Sequence, residues 1–284
     1  MRAGQRLTTE NAGAAHGSVS GLSPRRSLIA VAPALLLVGI SLWEVGAARR
    51  DASAVPGDAA WAAAAQRVRA GYRTGDLIVF APDWVDPVGR MQLGDMIPLA
   101  MAARMDAARY GRIWEVAIRG ARSPDTAGLE PVASDEQAGV TVRRYERAPA
   151  IVLADLLDRL ATVTSDGARP TLELAEVGFA PHRCLQVSPA RTAPLRITFP
   201  RLALGRTLVG YVGIADVFTR RDVRSPGRLE VEIAGKVIAS AEAGVDDGWV
   251  RFAAATTPGE TDVVVVLRAS DANRRICFAA EARQ

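Results

Sequence analysis

Beyond residue 56 the chain changes its hydrophobic period partway along. Trp61, Ala65, Val68 and Tyr72 recur at helical spacing, which places them on one face of an amphipathic helix. Gly75 stops that pattern, and "LIVF" (77–80) is a short continuous apolar run that predicts a buried strand. Ile97, Met101, Met105 and Ala108 form a second helical stripe with Asp95 as its cap. "RIWEVAI" (112–118) and "VTVRRYE" (140–146) predict strands, and the Gly-, Pro-, Asp- and Ser-rich stretch between them predicts loop. "IVLADLLDRLATV" (151–163) predicts a closing amphipathic helix. Helix alternating with strand over 57–165 is the pattern of a small layered α/β domain.

After "SDGARP" (165–170) the helical period is lost. Short apolar runs follow at turn-punctuated intervals: "LELAEV", "CLQVS", "LRITF", "LVGYVGIADVF", "RLEVEIAGKVIASAEA", "WVRFAAAT", "DVVVVLRA" and "RRICFAAEA". "IAGKVI" reads as a hairpin whose turn uses the backbone freedom of Gly235. Eight or nine short strands without a helix predict an antiparallel β-sandwich of jelly-roll type over 170–284. The expected fold class is thus α/β plus all-β.

A different signal precedes both parts. "LIAVAPALLLVGISLW" (28–43) is apolar and follows Arg25 and Arg26. Extended past Glu44 it reaches the length of a spanning helix, roughly 20 residues. The expected arrangement is a cytoplasmic tail over 1–26 and a transmembrane anchor over 27–46. Four arginines precede the segment and two follow it, so the positive-inside bias sends the body across the membrane. A cleaved signal is the competing reading, with Ala52-Ser53-Ala54 as its site and "PRRSLI" resembling a twin-arginine motif. Both readings make the body extracytoplasmic, and the anchor reading makes the protein a single-pass component of the inner membrane.

Charge sharpens this picture. The whole chain is basic, with 35 Lys and Arg against 31 Asp and Glu. Residues 1–50 hold six of those arginines and only two glutamates, leaving 29 basic and 29 acidic residues in the remainder. A neutral body lacks the positive footprint that phosphate-backbone binding needs, so nucleic acid is set aside as a partner. Cys184 and Cys277 are the two cysteines. In an oxidising compartment they form either one disulfide closing a long loop or two small buried side chains that never meet.

The run "WAAAAQRVRAGYRTGDLIVF", then "YGRIWEVAIRG", then "VTVRRYER" resembles the soluble extracytoplasmic tail of polytopic bacterial glycosyltransferases related to protein mannosyltransferases. The match covers roughly residues 57–148. Those enzymes carry their acidic catalytic residue in a loop between early membrane helices, which this chain lacks, so no catalytic residue carries over. The C-terminal part separately resembles a galactose-binding-like jelly roll. Together the resemblances imply a glycan-related setting, with a glycan or an envelope glycosyltransferase as partner.

Little classical chemistry is present. The body has a single histidine, His182, and no G-x-S-x-G, G-x-G-x-x-G or G-x-x-x-x-G-K pattern. No cofactor is implied. Asp83, Trp84 and Asp86 stand just past a buried strand, where open α/β sheets place ligands. The leading reading is a fastened turn, tied by the aspartates and shaped by Pro82 and Pro87; the alternative is a binding edge, with Trp84 stacking on a sugar ring and the aspartates accepting hydroxyl hydrogens. A second cluster, Asp216, Arg220, Arg221 and Asp222, offers a grip for a carboxylate or hydroxylated ligand, or a self-paired solvated loop. Trp249 follows Asp246, Asp247 and Gly248 at the start of a strand. With Glu281, those two aspartates supply oxygens of the kind calcium takes, at a spacing unlike a contiguous calcium loop. The expected function is non-catalytic, an anchored accessory or carbohydrate-binding protein of the bacterial envelope. The alternatives are a carboxylate-dependent glycan-processing enzyme using Asp83, Asp86 or Asp95, and a structural interaction module.

Overall fold

A computed structural model of the chain describes residues 24–53, 55–190, 193–215, 225–271 and 274–284. The chain divides at Val55/Pro56 into two units. Among the described residues the first holds one helix, α1 (Pro24–Ser53), within which Ala32–Arg50 is long and apolar enough to cross a membrane, with a mean hydropathy of 1.3. At 1.5 Å per residue that stretch spans about 28 Å, close to a hydrocarbon core.

The second unit, Pro56–Gln284, opens with α2 (Asp58–Gly71), whose Trp61, Ala64, Ala65 and Val68 are buried. Then come β1 (Leu77–Ala81), buried at all five positions, α3 (Asp86–Leu93), the single turn α4 (Leu99–Ala102) and β2 (Arg112–Ile118). β3 (Ala133–Gln137) and β4 (Val140–Glu146) complete a sheet of order β1-β2-β4-β3, with β1 and β2 parallel and the rest antiparallel. β3 was not legible in the loop-like composition of its stretch; it is an exposed edge strand held by register with β4. α2 and α3 cover this sheet. Gly89 of α3 lies against the Phe80 ring so closely that a Cβ there would overlap it.

Two sequence expectations are corrected here. The stripe Ile97–Ala108 is not a helix: a 3-10 turn over Gly94–Met96 and the one turn of α4 are followed by an irregular connection. The closing helix over 151–163 is instead β5 (Val152–Asp155), a 3-10 stretch (Leu157–Thr162) and β6 (Thr164–Ser165). Its apolar residues have a helical period, yet β5 pairs with the last strand of the chain and β6 with Leu195–Leu204. Long-range pairing overrode local preference.

The sandwich follows: β7 (Thr171–Val177), β8 (Ala180–Val187), β9 (Leu195–Leu204), β10 (Thr207–Ile214), β11 (Gly227–Ile233), β12 (Lys236–Ala243), β13 (Val250–Ala255), β14 (Gly259–Ala269) and β15 (Ile276–Arg283). One sheet runs β13-β10-β15-β8-β7 with β5 also on β15; the other runs β12-β11-β14-β9-β6. The "IAGKVI" hairpin joins β11 to β12 through Ala234 and Gly235, both at positive φ (51° and 75°), the signature of a type I′ turn. β9 alternates buried and part-exposed residues, and its register with β14 shifts near Arg201, where the Asp262 carboxylate accepts the Arg201 N–H at 2.9 Å. Between the sheets lie Leu185, Ile197, Phe199, Leu202, Leu208 and Phe278, all fully buried. Each such side chain contributes about 1.5–3 kcal/mol relative to exposure.

β15 is buried at every position. Ile276, Phe278, Ala280 and Ala282 face the sandwich core. Of the alternate residues, Glu281 and Arg283 meet the connection 103–109 from the α/β part. Arg283 donates to both oxygens of Asp106 (2.9 and 3.0 Å) and to Glu281 (2.8 Å), while Arg109 donates to Glu281 (2.7 Å) and to Asp155. Backbone contacts continue the seam, with the Arg183 N–H on the Ala103 carbonyl at 3.0 Å. Glu281 and Arg283 are nearly inaccessible to water, and removing one partner of such a group strands the other in a low-dielectric site. Arg283→Ala is therefore expected to lower unfolding free energy by about 3–5 kcal/mol, read by urea titration, and the double variant Arg283→Ala/Glu281→Ala by less than the sum of the two singles.

Candidate functional site

β1 delivers the chain to a 3-10 turn, Asp83–Val85, closed by the Val85 N–H on the Pro82 carbonyl at 3.0 Å. Val85 is buried as the anchor of that turn, and this rotates its neighbour Trp84 outward, 60% exposed. Asp83 is exposed beside it. Asp86 begins α3, where an acidic side chain suits the helix N-terminus, and it pairs with Arg90 one turn on.

Because β1 and β2 are parallel, with Ala81 opposite Ala117, both strands end on the same side of the sheet. The residue just past β2 is Arg119, in a left-handed turn (φ 55°) closed by the Ala121 N–H on the Ile118 carbonyl at 3.0 Å. Its guanidinium carbon lies 5.9 Å from the centroid of the Trp84 ring, within cation–π range. The site is thus an exposed indole flanked by a carboxylate and a guanidinium. Sequence reasoning placed Asp83, Trp84 and Asp86 but missed Arg119, because only the parallel pairing of two strands joins positions 35 residues apart.

Trp249 is elsewhere. It packs on His182 (centroids 4.5 Å apart) and Tyr211 (5.9 Å), and its Nε1–H donates to the Met105 carbonyl at 3.3 Å. Beneath it Cys184 and Cys277 are joined as a disulfide, with Cα atoms 5.6 Å apart and a sequence separation of 93. In the chain-entropy account a loop of that length stabilises by about 4–5 kcal/mol. Trp249 is therefore part-buried and engaged in packing against the 103–109 connection, in contrast to the exposed Trp84. Asp216, Arg220, Arg221 and Asp222 lie outside the described residues.

The sandwich carries a second concavity, a cleft of about 350 Å³ lined by Pro194, Pro226, Arg228, Glu242, Arg268 and Ser270. Arg228 stands opposite Glu242 on one side and Arg268 on the other in the register of β12, β11 and β14. Both arginines also reach Glu230, at 2.8 and 3.8 Å.

Of the carboxylates named as catalytic alternatives, Asp86 and Asp95 are committed to ion pairs with Arg90 and Arg69, while Asp83 is exposed beside Trp84. Asp95 accepts two bonds from Arg69, at 2.7 and 2.6 Å, which hold its carboxyl below the usual range. Buried Glu115 behaves similarly: burial pushes its carboxyl up, but bonds from Thr126 (2.6 Å), Ser123 (2.7 Å), Arg143 (2.7 Å) and Tyr145 (3.1 Å) outweigh that, and the net shift is downward. A general acid needs the opposite shift. The calcium-type oxygens do not gather: Asp247 accepts the Gly244 N–H at 2.7 Å and Glu281 serves the seam, and among the described residues no three His, Cys, Asp or Glu side chains cluster.

No protein-family model matches the chain, and no curated protein matches it; the resemblance of 57–148 to a glycosyltransferase tail gains no support from either. Solved structures similar to parts of the chain include the CBM51-2 and INT domains of ZmpB from Clostridium perfringens, at 14% identity and a TM-score of 0.37, covering 56% of this chain and 41% of that one. The tandem CBM51 modules of a family 98 glycoside hydrolase from Streptococcus pneumoniae match at 14% identity and TM-score 0.32, covering 51% and 56%. The CBM22-1 xylan-binding domain of Xyn10C from Paenibacillus barcinonensis matches at 15% identity and TM-score 0.30, covering 48% and 97%. The chain thus spans about half the length of the first two, and likeness at this level carries no functional inference.

His182 supplies a measurable property of the region around Trp249. Burial pushes its imidazole down to about 4 from the ordinary 6.5, against a hydrogen bond with the Arg104 carbonyl at 3.4 Å and with help from the Arg104 charge. A base whose folded pKa is depressed binds fewer protons folded than unfolded between those two values, so stability is full above pH 6.5 and falls as pH drops toward 4. Wild type is expected to lose on the order of 2 kcal/mol more than His182→Phe between pH 7 and pH 4, measured by denaturant titration at each pH.

Proposed function

We propose that the protein is a non-catalytic carbohydrate-binding protein, anchored in the inner membrane of a bacterial envelope by α1, with Pro56–Gln284 on the extracytoplasmic side near glycan assembly. The observation that carries the reading is Trp84. A large indole held 60% exposed on a fastened turn, beside an exposed Asp83 and under the Arg119 guanidinium, suits the C–H face of a sugar ring together with groups that bond its hydroxyls. The reading rests on that indole and not on the likeness of the sandwich to carbohydrate-binding modules. The disulfide supports the compartment, since such bonds persist where thiols are oxidised. The arginines on the N-terminal side of α1 support the orientation. The pairing of Asp86 and Asp95 with arginines supports a role without catalysis.

A second reading puts the ligand in the sandwich cleft, where Arg228 and Arg268 suit an acidic sugar. One experiment separates the two. The full chain in detergent is titrated with a panel of envelope glycans and simple sugars. Trp84→Ala is expected to weaken binding at least tenfold, about 1.4 kcal/mol or more, and Arg119→Ala to weaken it several-fold. Arg268→Ala is expected to leave it unchanged. Loss in Arg268→Ala with Trp84→Ala intact moves the site to the cleft, and no saturable binding at millimolar sugar discards the carbohydrate reading.

A further inference from the structure

Nothing above uses the outer edge of β7. It ends its sheet, paired with β8 on one side in unbroken register from Thr171 to Val177 and with no described strand on the other. Exposed sheet edges are ordinarily guarded by Lys, Pro, a bulge or a covering element, because their unpaired N–H and C=O groups recruit another strand. β7 has no bulge, and it presents Leu172 (37% exposed) and Leu174 (51%) on one face. Leu99 (61% exposed) of α4, with Ala100 and Ala103, forms the opposite wall of an apolar groove of about 440 Å³ that also includes Arg183.

We propose that this edge is a dimerisation surface, occupied by β7 of a second copy of the chain in antiparallel pairing about a two-fold axis at Leu174. The sequence is self-complementary in that register. Leu174 meets its own copy, Leu172 faces Glu176, Glu173 faces Ala175 and Thr171 faces Val177, so no like charges stand opposite one another. A one-residue slip would turn the leucines to the wrong face.

Charge complementarity favours the same occupant. Arg183 lies level with Leu174 on β8 and on its face, and it is exposed with no ion-pair partner among the described residues. Glu176 is likewise exposed on β7. In the two-fold arrangement Arg183 and Glu176 of the second copy are two strand spacings apart and offset by two residues, about 12 Å between Cα atoms. An arginine and a glutamate side chain together span that, and the symmetry makes the pair twice. Each groove would then receive Leu172 and Leu174 of the facing copy, as an isologous interface requires.

The test uses the full chain in membranes and in detergent. The two native cysteines are bonded to each other, so Leu174→Cys introduces one free thiol, at a position whose Cα atoms would lie about 4.5–5.5 Å apart across the axis, within disulfide range. Leu174→Cys is expected to give a covalent dimer on mild oxidation, Leu172→Cys alone to give none, and Leu172→Cys/Glu176→Cys to give it again. By sedimentation in detergent, Arg183→Glu is expected to weaken dimerisation at least tenfold and Arg183→Glu/Glu176→Arg to restore it. Absence of the Leu174→Cys cross-link in membranes, equal cross-linking at Leu172→Cys, or undiminished association of Arg183→Glu each overturns the proposal. A wild-type chain that stays monomeric in detergent overturns it too and leaves the edge to an extended segment of another protein.

Discussion

The body depends on one constraint: the irregular connection 103–109 must satisfy its polar groups against the outer face of β15. Asp106 and Arg109 form one continuous network with Asp155, Glu281 and Arg283, buried at Glu281 and Arg283 and open to solvent at Arg109. Around it, the Ala103 and Met105 carbonyls accept bonds from the Arg183 backbone and the Trp249 indole. Buried charges are costly unless every partner is present, so this network specifies a single placement of the small α/β sheet on the sandwich. It also explains why β15 is buried on both faces, a feature more typical of a central strand between two layers than of a free-standing jelly roll.

The same constraint explains what could be read from sequence and what could not. Strands β1, β2, β4 and the run from β7 to β15 were legible because their apolar positions alternate or cluster and turn residues bound them. α2 was legible from Trp61, Ala65 and Val68. The stripe through Met101, Met105 and Ala108 misled: the period was real, but Met105 and Asp106 serve the seam, and a helix would have turned half of those groups away from β15. The segment 151–163 misled for a related reason, since Val152–Asp155 completes a sheet edge that only the last residues of the chain create.

The candidate site shows a similar limit. Asp83, Trp84 and Asp86 are neighbours in sequence and were visible as a group, whereas Arg119 joins them through strand pairing. Both tryptophans stand beside aspartates, but Trp249 starts a strand, where a core role is the expected one, and Trp84 lies in a loop. The difference is tertiary. Val85 anchors its turn inward and leaves Trp84 outside, while Trp249 meets His182, Tyr211 and the Met105 carbonyl and is drawn under cover. Composition does not distinguish a platform from a lid.

The position of β15 has a kinetic meaning. Its partners β5, β8 and β10 are all made earlier, and Cys184 waits for Cys277. During vectorial synthesis, the first sheet strands to emerge have an unfilled slot between them, and the charged seam lacks Glu281 and Arg283. Such a topology has high contact order and folds late rather than progressively. The sandwich therefore closes only when β15 inserts between strands that are already made.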